Sequence, residues 1–80
     1  MEPTDYKSID CALYSEFELA IMHRTRLRLS WREAGGTTRI EAHVPIDLRT
    51  RHGEEFLVAI GRDETEREIR LDRILGRKCL

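Results

Sequence analysis

Hydrophobic and polar residues alternate through the middle of the chain in the manner of half-buried β-strands. Residues 24–32 place three apolar side chains on one face and mostly arginines on the other, and residues 38–44 alternate in the same way. Between them, Gly35 and Gly36 suit a two-residue hairpin turn, because glycine accepts a positive φ at both central positions. This hairpin predicts three apolar pairs across the strands, namely Trp31–Ile40, Leu29–Ala42 and Leu27–Val44.

The second half of the chain contains two further strand patterns. Residues 56–60 form a continuous apolar run, which indicates a strand that is buried on both faces. Residues 66–72 alternate again, and Ile74 breaks their phase, which predicts a bulge, a bend or a helical turn just before it. Pro45 cannot donate a ladder hydrogen bond, so the strand is expected to stop or bend there, and residues 46–51 are expected to be a short extended or turn segment.

Residues 9–22 have the pattern of a short amphipathic helix. Asp10 is a suitable N-cap for this helix. Apolar residues then recur at helical spacing and form one stripe, made of Leu13, Phe17, Ala20 and Ile21. Residues 17–23 also alternate, so a strand that starts at Phe17 remains an alternative. Residues 1–8 contain two acids and a proline, which oppose regular secondary structure. They are predicted to form a flexible acidic arm.

Together these patterns predict a mainly β fold, an Sm-like small bent antiparallel barrel with a short N-terminal helix. A strand that is apolar on both faces needs cover on each side, which the curled sheet and the helix supply. A chain this short supports a single core, so residues 1–80 are predicted to be one domain. Its barrel is assigned to residues 24–75, and residues 76–80 are expected to be a frayed tail.

The charges are distributed unevenly along the chain. The formal net charge is −1, but residues 1–22 contain five acids and one base, whereas residues 23–80 contain ten acids and thirteen bases. Such an asymmetry suggests an oriented encounter with a charged partner. The alternative, that the charges only keep a small domain in solution, remains open.

The chain carries no signal for several other functional classes. The N-terminal residues have neither the basic nor the apolar region of a secretory signal, and no run approaches the roughly 18 apolar residues of a membrane span. We therefore expect a cytoplasmic protein without a membrane partner, in which Cys11 and Cys79 stay reduced. The histidines and cysteines lack metal-ligand spacing, and no catalytic or phosphate-binding motif is present. We expect no enzyme, no cofactor, no metal and no small-molecule substrate.

Three local sequences resemble one protein family. The opening of Rof, the small Rho-binding antiterminator family of bacteria, is similar to the pattern Tyr6-x-x-Ile9-Asp10-Cys11-x-x-Tyr14-x-x-Phe17-Glu18-Leu19-Ala20. Asp47-Leu48 followed by Arg51 resembles its middle connection, and Glu68-Ile69-Arg70-Leu71-Asp72-Arg73-Ile74 resembles its last strand. The likeness runs from about Tyr6 to Ile74, and the order and spacing of the three patterns make it specific.

The resemblance implies a partner and a contact surface. It implies binding to the N-terminal domain of the Rho termination helicase over its primary RNA-binding site, so that RNA cannot load and transcription antitermination results. RNA is then involved only through competition. The implied contact residues lie on or near the helix, and they are Asp10, Tyr14, Ser15, Glu16 and Glu18. The family is typically acidic at the positions of Ala12, Leu13 or Ser15, where this chain is not, whereas it has gained Glu16.

Direct RNA binding is the alternative function. Four arginines are predicted to share the outward face of the first hairpin, and they are Arg26, Arg28, Arg32 and Arg39. Small barrels often bind nucleic acid, although the net charge is slightly negative and no aromatic residues interleave these arginines. The same register predicts a solvated His43 on the outer face, opposite Arg28. A ring that pairs edge strands between subunits is also compatible with the pattern.

Overall fold

The computed structural model describes residues 5–80, and the predicted arm falls outside these residues at positions 1–4. The described chain begins with one helix, α1 (Cys11–His23), which is followed by five strands. The strands are β1 (Leu27–Arg32), β2 (Thr38–Arg51), β3 (Glu54–Gly61), β4 (Glu66–Arg70) and β5 (Ile74–Cys79). A short 3-10 helix at Leu71–Arg73 lies between β4 and β5, which confirms the helical turn predicted before Ile74.

Helix α1 forms where its capping residue and apolar stripe predict it. The Asp10 side chain accepts a hydrogen bond of 2.8 Å from the backbone nitrogen of Ala12, as an N-cap does. Phe17 and Ala20 are buried and pack with the inner residues of the sheet. Arg24 ends the helix in the left-handed conformation, with a φ of 52°. The helix continues through residues 17–23, so the alternative of a strand that starts at Phe17 is wrong.

The five strands form one antiparallel sheet in the order β4-β3-β2-β1-β5. This arrangement confirms a mainly β fold with a short N-terminal helix. Among residues 5–80 no hydrogen-bonded ladder joins β4 to β5, so the sheet is not a closed barrel. Three consecutive residues of β3, Leu57, Val58 and Ala59, are fully buried, which confirms that this strand is covered on both faces.

The register of the first hairpin differs by one residue from the predicted one. Leu27 pairs with His43, Leu29 with Glu41, and Trp31 with Arg39. The turn is wider than two residues because the Glu33 backbone nitrogen donates to the Thr37 carbonyl at 2.7 Å. A one-residue shift moves every side chain of a strand to the other face. Ile40 is consequently 65% exposed.

Strand β2 passes through Pro45 instead of ending there. The pairing of β2 with β3 shifts register between Pro45 and Asp47, and it then continues to Arg51. A bulge at this point removes the need for the hydrogen bond that proline cannot donate. The bulge confirms the bend predicted at Pro45, and residues 46–51 are extended and continue β2.

The C-terminal residues form an ordered strand. Strand β5 pairs with β1 from Leu27–Cys79 to Trp31–Ile74, and the Leu80 backbone nitrogen donates to the Arg26 carbonyl at 3.0 Å. The prediction of a frayed tail at residues 76–80, and with it the end of the β-structure at residue 75, is wrong. Single-sequence patterns missed this strand because its partner lies about fifty residues earlier in the chain.

The core lies between α1 and the inner face of the sheet. Its fully buried members include Phe17, Leu29, Leu57 and Leu71, and Leu48 of β2 packs against them. Helix α1 therefore covers the inner face, which leaves the outer face of β1 and β5 uncovered by it. Within residues 5–80, no helix has the length and apolar character needed to cross a membrane.

A candidate protein-binding cleft beside helix α1

An open cleft of about 430 Å³ separates α1 from the bulged part of β2. Four of its residues come from the helix and two from the strand; they are Tyr14, Glu18, Ile21, Met22, Asp47 and Leu48. We call this surface the α1–β2 cleft. It combines apolar side chains with two carboxylates, which is a composition suited to a partner with a long cationic side chain.

Local structure explains why these residues meet. Tyr14, Glu18, Ile21 and Met22 follow one another at helical spacing, so that they line one flank of α1. Asp47 lies at the bulge of β2, and its side chain accepts a hydrogen bond of 2.8 Å from the Leu48 backbone nitrogen. The bulge thus fixes one wall of the cleft, and the regular helix fixes the other.

The α1–β2 cleft is negatively charged. Among the described residues Glu18 makes no ion pair, and Asp47, which is 58% exposed, approaches the Nε of Arg49 only to 3.8 Å. Partial burial raises the pKa of Tyr14, and the carboxylates of Glu55 and Glu18 raise it further. The Tyr14 hydroxyl therefore stays protonated and lies among acidic groups, where it is a hydrogen-bond donor.

Glu16 lies on the opposite flank of α1 and does not join the α1–β2 cleft. Its Oε2 atom accepts from Arg77 of β5, at 2.8 Å from Nε and 2.7 Å from Nη2. This pair borders a second cleft of about 530 Å³ between α1 and β5, which also exposes Leu19 and Cys79. Glu16 and Glu18, predicted to act together, are therefore separated by the helix, and one of them is neutralised within the chain.

The remaining predicted contact residues have different surroundings. Asp10 is exposed but uses its carboxylate to cap α1, and Ser15 is exposed on the helix. Of the five predicted contact residues, Tyr14 and Glu18 line the α1–β2 cleft. The sequence-based set does not contain Met22, Asp47 or Leu48. Asp47 and Leu48 belong to the second sequence pattern that resembles the Rof family, and that pattern was the sequence signal that could have identified them. No local feature of the sequence places them beside the helix.

The segment that precedes α1 is held against the end of the sheet. Asp5 accepts from Arg70 at 2.9 Å, the Lys7 backbone nitrogen donates to Asp72 at 3.1 Å, and the Tyr6 hydroxyl donates to Glu55 at 3.0 Å. Residues 5–7 of the predicted flexible arm are thus tied to the folded domain. Their contacts also neutralise Asp5, which reduces the free negative charge expected near the helix.

The four predicted RNA-binding arginines do not share one face. Arg28 and Arg32 lie on the outer face of β1, because they alternate with the buried Leu27, Leu29 and Trp31. Arg39 instead pairs with Trp31 across the hairpin, and its guanidinium binds Glu41. The one-residue change of register is the physical reason that this grouping is wrong.

His43 is buried, not solvated. Only 1% of its surface is exposed, and its ring packs edge-on against Trp31 at a centroid distance of 5.5 Å. Neither ring nitrogen has a hydrogen-bond partner among the described residues. The prediction of a solvated His43 opposite Arg28 is wrong for the same reason, since Arg28 pairs with Ala42.

No three His, Cys, Asp or Glu side chains of residues 5–80 come together as a metal-binding group. No protein-family model matches the chain, and a search of curated proteins found no match. A solved structure that resembles it is proteasome accessory factor B/C (PafBC) of Arthrobacter aurescens, with a TM-score of 0.77 and 18% sequence identity.

The likeness to PafBC covers 94% of this chain, which spans only 12% of the PafBC chain. At this identity the likeness shows the fold alone. The chain is therefore a small mainly β domain with a helix at its N-terminal side.

Proposed function

We propose that this chain binds the N-terminal RNA-binding domain of the Rho termination helicase and blocks RNA loading, which gives transcription antitermination. One observation carries the proposal. Tyr14 and Glu18 come from the first Rof-like pattern, Asp47 and Leu48 come from the second, and all four line the α1–β2 cleft. Two stretches of sequence that suggest the same family thus meet at one exposed surface.

The chemistry of the α1–β2 cleft suits a protein that normally binds RNA. Carboxylates of Glu18 and Asp47 can meet the arginine or lysine side chains with which such a protein holds phosphate. Exposed ion pairs contribute only about 0.2–1 kcal/mol each, so they mainly steer and orient the encounter. Affinity needs an apolar anchor, and Met22, which is 73% exposed, supplies one beside Leu48.

The proposal is tested by competition between this chain and RNA for Rho. Rho is mixed with a labelled pyrimidine-rich RNA, and the loss of bound RNA is measured as this chain is added. We expect the unchanged chain to displace RNA, because it covers the same site. RNA that stays bound to Rho at a large excess of this chain would refute the proposal.

Two variants locate the contact surface. Glu18→Arg reverses a charge in the α1–β2 cleft and should weaken Rho binding by about tenfold, because it adds repulsion to the loss of an ion pair. Glu66→Arg is the matched control, since Glu66 is also exposed and makes no ion pair among residues 5–80, but it begins β4. Equal losses in the two variants would show that only net charge matters.

A further inference from the structure

Five cations on or next to strands β1, β3 and β5 have no ion-pair partner among the described residues. They are Arg26, Arg28, Arg32, Arg62 and Lys78, and all five are exposed. Elsewhere in residues 5–80, six arginines do form ion pairs: Arg39, Arg49, Arg51, Arg67, Arg70 and Arg77. Lys7, Arg24 and Arg73 also make no ion pair among residues 5–80, but they lie on other elements. We call the first five residues the basic face.

The strand register brings most of the basic face together. Arg28 of β1 pairs directly with Lys78 of β5, and Arg32 lies on the same face two alternations further along β1. Arg62, in the turn after β3, borders one cleft with Arg28 and a second cleft with Arg26. Helix α1 covers the other face of β1, so the basic face and the α1–β2 cleft are separate surfaces.

The like charges of the basic face lower the stability of the fold. Like charges directly opposite each other on neighbouring strands are destabilising, and Arg28 and Lys78 are such a pair. Nearby acids offset them only in part. Glu41 is engaged by Arg39, whereas Asp63 beside Arg28 and Arg62, and Glu64 beside Arg26 and Arg62, remain close to the cations.

We propose that the basic face binds the phosphate backbone of a single-stranded nucleic acid without reading its sequence. Along an extended strand, Arg26 to Arg32 spans roughly 20 Å, so the cations form a row that suits a polymer with regularly repeated negative charge. An acidic protein segment fits less well, because its charges repeat irregularly. Neither of the two clefts beside these arginines is lined by Phe, Tyr or Trp, and the His43 ring that borders one of them is buried, so base stacking contributes little and binding is sequence-tolerant.

Ser30 and Gly76 give this surface its open form. They pair across β1 and β5 between the charged positions, and a Cβ atom added to Gly76 would lie 3.0 Å from the Ser30 hydroxyl oxygen. No large side chain therefore protrudes between the cations at this point. The Ser30 hydroxyl can donate a hydrogen bond to a phosphate oxygen that lies above it. Binding here goes beyond the proposed inhibition of Rho and does not depend on it.

The test measures binding of labelled RNA in the absence of Rho. Fluorescence anisotropy of a single-stranded RNA of about 20 nucleotides is followed at several salt concentrations, with DNA of the same sequence as a second probe. We expect both probes to bind, with dissociation constants of about 10⁻⁴–10⁻⁶ M near physiological salt. Absence of binding even at low salt would overturn the proposal, whatever the result with Rho.

Two double variants separate the basic face from charge in general. Arg28→Gln with Lys78→Gln should reduce the slope of log affinity against log salt by about 1.4, which corresponds to two phosphate contacts on a single strand. Arg49→Gln with Arg51→Gln removes the same nominal charge at the C-terminal end of β2, outside the basic face. This double variant should change the slope little. Equal effects of the two double variants would overturn the proposal. Unfolding curves of both confirm that each variant is folded.

Discussion

At the scale of single residues, His43 is the clearest departure from ordinary core chemistry. It is buried, neither ring nitrogen has a hydrogen-bond partner among the described residues, and the Glu41 carboxylate comes only to 3.7 Å from Nε2. A buried polar group without a hydrogen bond costs about 1–3 kcal/mol. Gly61 accommodates the ring closely, since a Cβ atom there would lie 3.1 Å from the His43 Nε2 atom. Burial of His43 could not be predicted, because the predicted register placed its side chain on the outer face.

We predict that His43→Leu stabilises the fold. An apolar side chain of similar size removes the unpaired nitrogens, and the free energy of unfolding should rise by about 1 kcal/mol. Denaturant unfolding measures this change. His52→Leu is the matched control, because His52 is exposed and should show little gain. A large loss of stability in His43→Leu would mean that the imidazole makes a contact the fold requires.

Arg77 controls whether Glu16 is available to a partner. The ion pair that joins them is exposed on both sides, 41% for Arg77 and 53% for Glu16. Exposed pairs of this kind are worth about 0.2–1 kcal/mol, so a partner's arginine competes with Arg77 at a modest cost. Glu16 is thus a masked carboxylate, in contrast to Glu18 in the α1–β2 cleft.

We predict that Arg77→Gln strengthens binding to Rho by up to about fivefold, which is the upper value for an exposed ion pair. Direct binding of each variant to Rho in the absence of RNA measures it, because Lys78 belongs to the basic face. Lys78→Gln removes the same charge from the adjacent residue, which makes no ion pair among residues 5–80, and it should leave Rho binding nearly unchanged. Weaker binding in Arg77→Gln would show that Arg77 itself contacts Rho.

At the scale of elements, local signals were predictable and distant pairing was not. Asp10 and the apolar stripe define α1 from neighbouring residues alone, so the helix was predicted correctly. The first hairpin depended on which residues turn the chain, and the wider turn at Glu33–Thr37 changed its register. The α1–β2 cleft was only half predictable, since Asp47 reaches it through a bulge that sequence alternation does not reveal.

Strand β5 gives an element-scale prediction. We expect a chain that ends at Leu75 to lose much of its stability, because it forfeits the ladder with β1, at about 0.5–1.5 kcal/mol for each hydrogen bond. A chain that lacks only Leu80 is the control and should unfold near the original temperature. Circular dichroism during thermal unfolding compares the two. Equal melting temperatures would restore the interpretation of residues 76–80 as a frayed tail.

At the scale of the whole molecule, folding rearranges the charge asymmetry of the sequence. Acids of the N-terminal part pair with cations of the C-terminal part, as Asp5 does with Arg70 and Glu16 with Arg77. The first 22 residues therefore do not form one free anionic surface. What remains is a smaller acidic site in the α1–β2 cleft and the basic face on the other side of β1, so the folded molecule is still polar.

These charge pairs also set the pH range in which the fold is stable. Hydrogen bonds from Arg70 lower the pKa of Asp72, and an arginine neighbour lowers that of Glu41. Their contribution is fully present above the unfolded pKa values, about 4, and is lost as the pH falls through the lower folded values. Burial raises the pKa of Tyr6 and Tyr14, so stability is full below about pH 10 and declines above it.

We predict that the free energy of unfolding is constant between these pH limits. Asp72 should account for a measurable part of the stability that is lost at acid pH. Asp72→Asn removes a carboxylate that is 10% exposed and accepts charged hydrogen bonds, so it should cost about 2 kcal/mol at neutral pH. The difference should shrink as the pH falls from about 4 through the lowered pKa of Asp72 in the folded chain, and vanish once Asp72 is protonated in both states. Glu66→Gln, at an exposed acid without an ion pair among residues 5–80, should follow the unchanged chain throughout. A gap for Asp72→Asn that persists at the lowest pH would show that shape, and not charge, makes Asp72 important.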